Sequence, residues 1–391
     1  MTVLAACGGA RDGGAIPASA PMSVVRNAHS GAPGPILTTS DGGQIFDFDI
    51  DQHGNDGILT SNSSSRISVQ TFDQRTGAIT KTFGVHTGTG PRNGDGYVAN
   101  GIFAGDVALV DYQKAGIPGQ TPAHDTYRVI DPAANGKFTG KWKPSAKLFN
   151  VLQHAVNQGT TTSVLFGYQR LGSDPTELIV SDIANGMGTK AIALDQQSFF
   201  LSDNPQLAQD TVHNRAIMAT SPSAGAAGGP PPVIVIIDLM SGKASQFSGV
   251  SCPGIEGCGY ANGIGYDSKT GRACTTTELD GGAEFYDVAK QTGIRVPLPN
   301  DAGQVGAGSY VASDSVHQLF LIAQEFSSTG PPSTSSIQVY REDGTFVESI
   351  DGLNFTHAGF DVIPTRIALN PRKRIGWVNA ANFNQLQQFS Y

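Results

Sequence analysis

Three aspartates alternate in the stretch FDFDID: Asp47, Asp49 and Asp51. In an extended strand alternate side chains share a face. The three carboxylates would therefore stand in a row at a step of ~7 Å, with Phe46, Phe48 and Ile50 on the other face. Such a row repels itself and is costly to bury uncompensated. Two arrangements satisfy it. A hard cation such as Ca2+ can take these oxygens together with backbone carbonyls as ligands, or the acids can bond to neighbouring amides and water. The pattern is not the D-x-[DN]-x-[DN]-G loop of an EF-hand. A second set lies near the C-terminal end, where NFTHAGFD carries His357 and Asp361 and Arg366 follows shortly after. A histidine beside an acid can serve as base or ligand, although a lone loop histidine is as readily a solvated one. His357, Asp361 and Arg366 are the weak catalytic candidates of the chain.

Two further histidines sit in a repeated phrase, DTVHNRAIMAT at 210–220 and DSVHQLFLIAQ at 314–324. A shared catalytic pair is one reading of His213 and His317; a repeated structural unit is the other. Local enzyme motifs are absent: there is no G-x-S-x-G elbow, phosphate-binding loop, H-E-x-x-H or haem C-x-x-C-H. The 4 cysteines are too few for a disulfide scaffold of 391 residues. Cys252 and Cys258 close a short loop and suit either a disulfide or a pair of reduced thiols. Without a neighbouring histidine they make a poor zinc site.

The elements that would position these residues are short. Apolar runs are separated by Gly, Asp, Asn and Ser, 49 glycines are present, and no long helical periodicity appears, which indicates an all-β chain. The net charge of −8 argues against a nucleic-acid partner. The histidine phrase has the form strand, turn opened by Asp or Asn, strand. It recurs seven times, with turn openers at Asp51, Asn100, His154, Asp210, Asp267, Asp314 and Asn370, 47 to 57 residues apart. Within each unit a second phrase, such as ISVQTFDQRTGAITKTF or VIVIIDLMSGKASQF, reads as a hairpin with an Asp-opened, Gly-closed turn. Four strands per unit, A to D from inside outward, give a radial β-propeller.

The hairpin phrase resembles the "vviD…tGk" stretch of YVTN-type seven-bladed propellers, across most of residues 40–391. The resemblance implies a seven-bladed β-propeller of four-stranded antiparallel blades and says little about activity. The WD40 signature is absent from the sequence. The last unit holds only RIALNP, RIGWVNA and QLQQFSY, so its fourth strand is expected from the N-terminal side, SVVRN (23–27) or PILTT (35–39), closing the ring. His213 and His317 then occupy A–B turns two blades apart and cannot meet at one centre. Residues 22–391 form the single propeller domain, with 22–40 as lead-in and closing strand.

The B–C loops at 114–125, 166–177, 221–232 and 326–336 are long and fall on the top face with the D–A loops. They suit recognition or are tolerated insertions. At the other end of the chain, Leu4-Ala5-Ala6-Cys7 resembles a bacterial lipobox, followed by a small-residue tether within 1–21. That resemblance implies lipidation at Cys7, membrane contact only through the lipid, and a place in the periplasm or at the cell surface on the outer membrane; a cytoplasmic chain with a loose tail is the alternative. The leading expectation is an envelope-anchored, non-catalytic propeller that binds a protein or glycan partner or acts as a scaffold. The alternative is a lactonase-like hydrolase or lyase acting on a small ligand at the channel mouth.

Overall fold

In the computed structural model the described residues are 30–63, 66–85, 99–104, 107–114, 124–131, 137–142, 150–156, 162–168, 177–182, 187–193, 206–220, 231–251, 261–277, 281–299, 306–326, 335–353, 366–379 and 384–391. They contain strands and no helix. The first strand is β1 (Ala32–Thr38). Blade 1 follows as β2 (Gln44–Ile50), β3 (Asp56–Ser63), β4 (Arg66–Asp73) and β5 (Ile79–Val85). Blade 2 is β6 (Ala99–Ala104), β7 (Val107–Lys114), β8 (His124–Asp131) and β9 (Lys137–Trp142). Blade 3 is β10 (Asn150–Val156), β11 (Thr162–Tyr168), β12 (Glu177–Asp182) and β13 (Met187–Ala193). Blade 4 is β14 (Gln206–Asp210), β15 (Arg215–Thr220), β16 (Val233–Asp238) and β17 (Ala244–Ser248). Blade 5 is β18 (Ala261–Asp267), β19 (Arg272–Thr277), β20 (Gly282–Asp287) and β21 (Thr292–Pro297). Blade 6 is β22 (Gly306–Asp314), β23 (Leu319–Phe326), β24 (Ser335–Arg341) and β25 (Phe346–Leu353). The last three strands are β26 (Ile367–Asn370), β27 (Ile375–Asn379) and β28 (Gln385–Ser390).

Among the described residues these strands make seven four-stranded sheets, six of them simple meanders. The seventh has the order β1-β28-β27-β26. β1 pairs antiparallel with β28, Thr38 opposite Gln385 and Leu37 opposite Leu386. Of the two N-terminal segments considered above, PILTT is the one that overlaps β1. Each first strand touches the next around a ring, β2, β6, β10, β14, β18, β22, β26 and back to β2. The chain is a β-propeller. In a meander the A–B and C–D turns share one rim and the B–C and D–A connections share the other, called here bottom and top.

Turn chemistry explains the hairpins. Asp73 Oδ1 accepts from the Arg75 and Thr76 backbone N–H groups and the Thr76 hydroxyl, and Gly77 supplies the positive φ. Asp238, Ser241 and Gly242 repeat the device in blade 4. The A–B turn openers Asp210, Asp267, Asp314 and Asn370 each end a first strand, and Asp51 directly follows one. Blades 2 and 3 depart from the expectation: Asn100 and His154 lie inside β6 and β10, opposite Asp111 and Leu165. The A–B connections there fall beyond the ends of those strands, after Ala104 and Val156. Asn100 and His154 fit the repeat spacing, but the strands run on past them.

Apolar side chains fill the seams between blades. Leu37, Ile45, Phe48, Leu59, Phe72, Ala368, Trp377 and Leu386 form one cluster between blades 7 and 1. Within sheets, glycines stand opposite aromatics, among them Gly57 and Phe72, Gly293 and Tyr286, and Gly376 and Phe389. In these three pairs the ring lies over the glycine, in space that a Cβ would occupy.

Candidate functional site

The first strand of each blade lines the channel, and its side chains decide what the channel can do. Counting back four residues from the turn openers Asp51, Asp314 and Asn370 gives Asp47, Tyr310 and Arg366. Those three meet. Arg366 Nη1 is hydrogen-bonded and ion-paired to Asp47 Oδ1, with side chains 20% and 6% exposed. The Tyr310 hydroxyl is hydrogen-bonded to Arg366. Arg366 is also fixed through its backbone N–H, which donates to Asn379 Oδ1 at 3.0 Å. A register shift precedes the same position in β2 (between Ile45 and Asp47), β18 (Ala261 and Gly263) and β22 (Gly308 and Tyr310). Such bulges re-aim the side chains that follow them. In blade 5 the position is Gly263, where a Cβ would run into the backbone of Tyr310 and Val311.

Burial works against the Arg366 charge, but Asp47, Tyr310 and Asp49 outweigh it and hold the guanidinium cationic. Burial raises the Tyr310 phenol. Asp49 Oδ1 accepts from the Ile50 N–H at 2.9 Å. Asp51 is turned to another task at the bottom end of β2. Its Oδ1 accepts from His53 N at 2.7 Å, and its carbonyl accepts from Gln74 Nε2 at 2.7 Å and Asn370 Nδ2 at 3.0 Å. The row of acids thus divides: Asp47 faces a cation from blade 7, and Asp51 ties the A–B turn to its neighbours. Among the described residues no group of three or more His, Cys, Asp or Glu side chains is arranged to hold a metal ion.

Above this layer, Asp41 in the connection from β1 to β2 accepts from Ser61 Oγ, Gln70 Nε2 and Gly43 N. Burial would raise its carboxyl, but these bonds and one from Ser68 prevail and lower it. On the bottom rim the two repeated histidines serve separate turns. His213 Nδ1 is 3.0 Å from Asp210 Oδ2, which also accepts from Arg215 and from Tyr266 Oη of blade 5. His317 Nδ1 is 2.7 Å from Asp314 Oδ2, which accepts from Tyr391 Oη of the last sheet at 3.0 Å. Each cluster braces one blade against the next.

Of the residues singled out from sequence, the structure joins Arg366 to Asp47. Cys7, Cys252, Cys258, His357 and Asp361 lie outside the described residues. Cys274 is a buried free thiol, pushed up by burial and by Glu284. Sequence reasoning missed Tyr310. The signal was present: aligning the repeats on their turn openers puts Tyr310 and Arg366 in register with Asp47.

No protein-family model matches the chain, and no curated protein matches it in sequence. Solved structures do. The chain is similar to U3-55K (11% identity, TM-score 0.58, covering 91% of this chain and 98% of that one) and to the RRP9 WD40 repeats (10%, 0.59, 92% and 98%). It is also similar to the β-propeller domain of Cps50 (Swd1) from Myceliophteria thermophila (11%, 0.54, 89% and 98%). The likeness is one of fold. It corrects the expected location in the periplasm or at the cell surface, lipid-anchored to the outer membrane, because the solved propellers that the chain resembles are WD40-type. The physical reason for the error is plain. Four residues, Leu4 to Cys7, carried that placement, and so short a match occurs by chance.

Proposed function

We propose that the chain is a non-catalytic, seven-bladed scaffold of one domain, residues 22–391, that binds a protein partner through the loops of its top rim. The observation that carries this reading is the use of the channel's charges. Asp47, Tyr310 and Arg366 come from three blades, and they satisfy one another instead of facing an empty cleft. Arg366, a catalytic candidate by sequence, is thereby committed to holding blades 1, 6 and 7 together. A rigid ring of this kind leaves recognition to its loops, and the WD40-type fold of its structural neighbours suits such a role.

The test shortens 221–232 and 326–336 to Gly-Ser turns, singly and together. Each form should melt like the full chain and lose at least one protein that the full chain captures from extracts of its source. Unchanged capture by the doubly shortened form refutes the reading. So does turnover of a lactone or glycoside panel that is abolished by Arg366→Met.

A further inference from the structure

The buried aspartates of the bottom rim are not all answered alike. Asp210 and Asp314 receive donors from His213, Arg215 and Tyr266 in the one case and from His317 and Tyr391 in the other. Blade 5 breaks the pattern, because its turn reads DSKTGR and has no histidine. Asp267 is fully buried, and its Oδ1 accepts from Lys269 N at 2.7 Å. Its Oδ2 is buried without a conventional donor. Opposite stands Glu342, in the C–D turn of blade 6, and its Oε1 is buried without a donor as well. The two carboxyl groups lie within interaction range of each other, and Thr270 is the other near neighbour of Glu342.

Two carboxylates have acceptors only, so a bond between them needs a proton. The nearby cations are engaged elsewhere. Arg272 Nη2 is 3.4 Å from Asp287 Oδ2, Lys290 Nζ is 3.1 Å from the same oxygen, and Lys269 Nζ donates to the Ser315 carbonyl. Arg272 favours the charged form of Glu342 without overcoming the opposing causes. Of the flanking turn residues, Asp343 accepts from Thr345 N, and Arg341 lies close enough to lower the Asp343 carboxyl. Burial first, then Asp267, pushes Glu342 from its ordinary 4.5 up to about 8.

We propose that Asp267 and Glu342 share one proton, and that this acid pair is a pH-sensitive latch between blades 5 and 6. A raised carboxyl stabilises the folded chain fully below pH 4.5, and that contribution is lost as pH rises through about 8. Near neutrality the latch is closed. Above it, two like charges face each other in the seam, and the turn that carries Glu342 is pushed from blade 5. That turn is close-packed, since a Cβ at Gly344 would touch Val296, Ile294 and Phe285.

The experiment follows the melting temperature of the full chain from pH 5 to 9.5, beside Glu342→Gln, whose amide donates to Asp267 at every pH. The wild type should lose several degrees relative to the variant across that range, and the variant's own curve should be flatter. Infrared spectra at pH 7 should show a protonated carboxyl band that Glu342→Gln lacks and that disappears from the wild type by pH 9.5. Parallel melting curves overturn the latch. If the variant does not fold, a wild type without the protonated band at pH 7 overturns it alone. A rise in melting temperature on adding Ca2+ at pH 7 that Glu342→Gln abolishes would assign the two oxygens to a cation and also overturn the shared proton.

Discussion

Gly57→Ala isolates the packing of an aromatic ring over a glycine. Gly57 lies opposite Phe72, and a Cβ placed on it would sit well inside 3.0 Å of three ring carbons. The ring cannot slide away freely. Phe72 is fully buried and meets Trp377 edge to face at 5.1 Å and 68°, while Trp377 Nε1 donates to the Gln74 carbonyl at 3.1 Å. Two opposing effects decide the sign. Replacing glycine in a strand by alanine stabilises by about 0.5–1 kcal/mol. Overpacking a fixed ring costs about 1–3 kcal/mol. The net loss should be about 1–2 kcal/mol. A chain of this size changes its melting temperature by only ~1 °C per kcal/mol, so denaturant titration is the better assay. The diagnostic measurement is a double-mutant cycle with Phe72→Leu, where the added methyl finds room and the two losses should fall short of additivity by about 1 kcal/mol. The argument is refuted if Gly57→Ala stabilises the chain, or if it costs as much in the Phe72→Leu background as in the wild type.

Tyr266→Phe removes one donor from Asp210 and should cost about 1–2 kcal/mol in urea titration. Burial works against the Asp210 carboxylate, but Arg215, His213 and Tyr266 more than offset it and lower it below 3.8. The stability it contributes is therefore present above pH 3.8 and lost as pH falls through the lowered value, and Tyr266→Phe should move that loss to higher pH. Arg366→Met strips the cation from Asp47 in a setting that is mostly buried and should cost about 3–5 kcal/mol; a loss of less than about 1 kcal/mol would mean that water replaces it. In wild type, Ca2+ added after chelation should leave the melting temperature unchanged, whereas a rise that Asp47→Asn/Asp49→Asn abolishes would mean a cation sits there. The Cys274 thiol should resist a thiol reagent in the folded chain and react promptly once urea unfolds it.

The propeller was legible because its periodicity is written in turn chemistry. Asp73, Asp238 and Asp287 open their hairpin turns through local bonds, which a sequence records without any knowledge of neighbours. The A–B turns of blades 2 and 3 were misplaced, since Asn100 and His154, chosen as openers by their spacing, lie inside β6 and β10. The candidate site was half legible. Alternation placed Asp47 and Asp49 on one strand, but the partner of Asp47 comes from 319 residues away, and nothing local to FDFDID names it. The bulge ahead of Asp47 was equally silent, because an extra residue in a strand leaves no signature when the flanking residues are apolar. The charge balance of Asp267 was invisible for a related reason: its answer is an acid in the next blade.

The pairing of β1 with β28 bears on how the chain is made. Thr38 and Gln385 touch across the sheet, yet 347 residues separate them. Closing a loop of that length costs about 5 kcal/mol of chain entropy. At a synthesis rate of roughly 5–20 residues per second, β1 is exposed for roughly 20–70 s before its partner emerges. During that interval its open edge can pair with any strand that comes near, and the waiting blade-7 edge of a second chain is the best match. The contact that completes the ring is thus also the contact most easily exchanged. Crowded refolding should yield dimers in which each copy lends its β1 to the other, and dilution before folding should yield monomers.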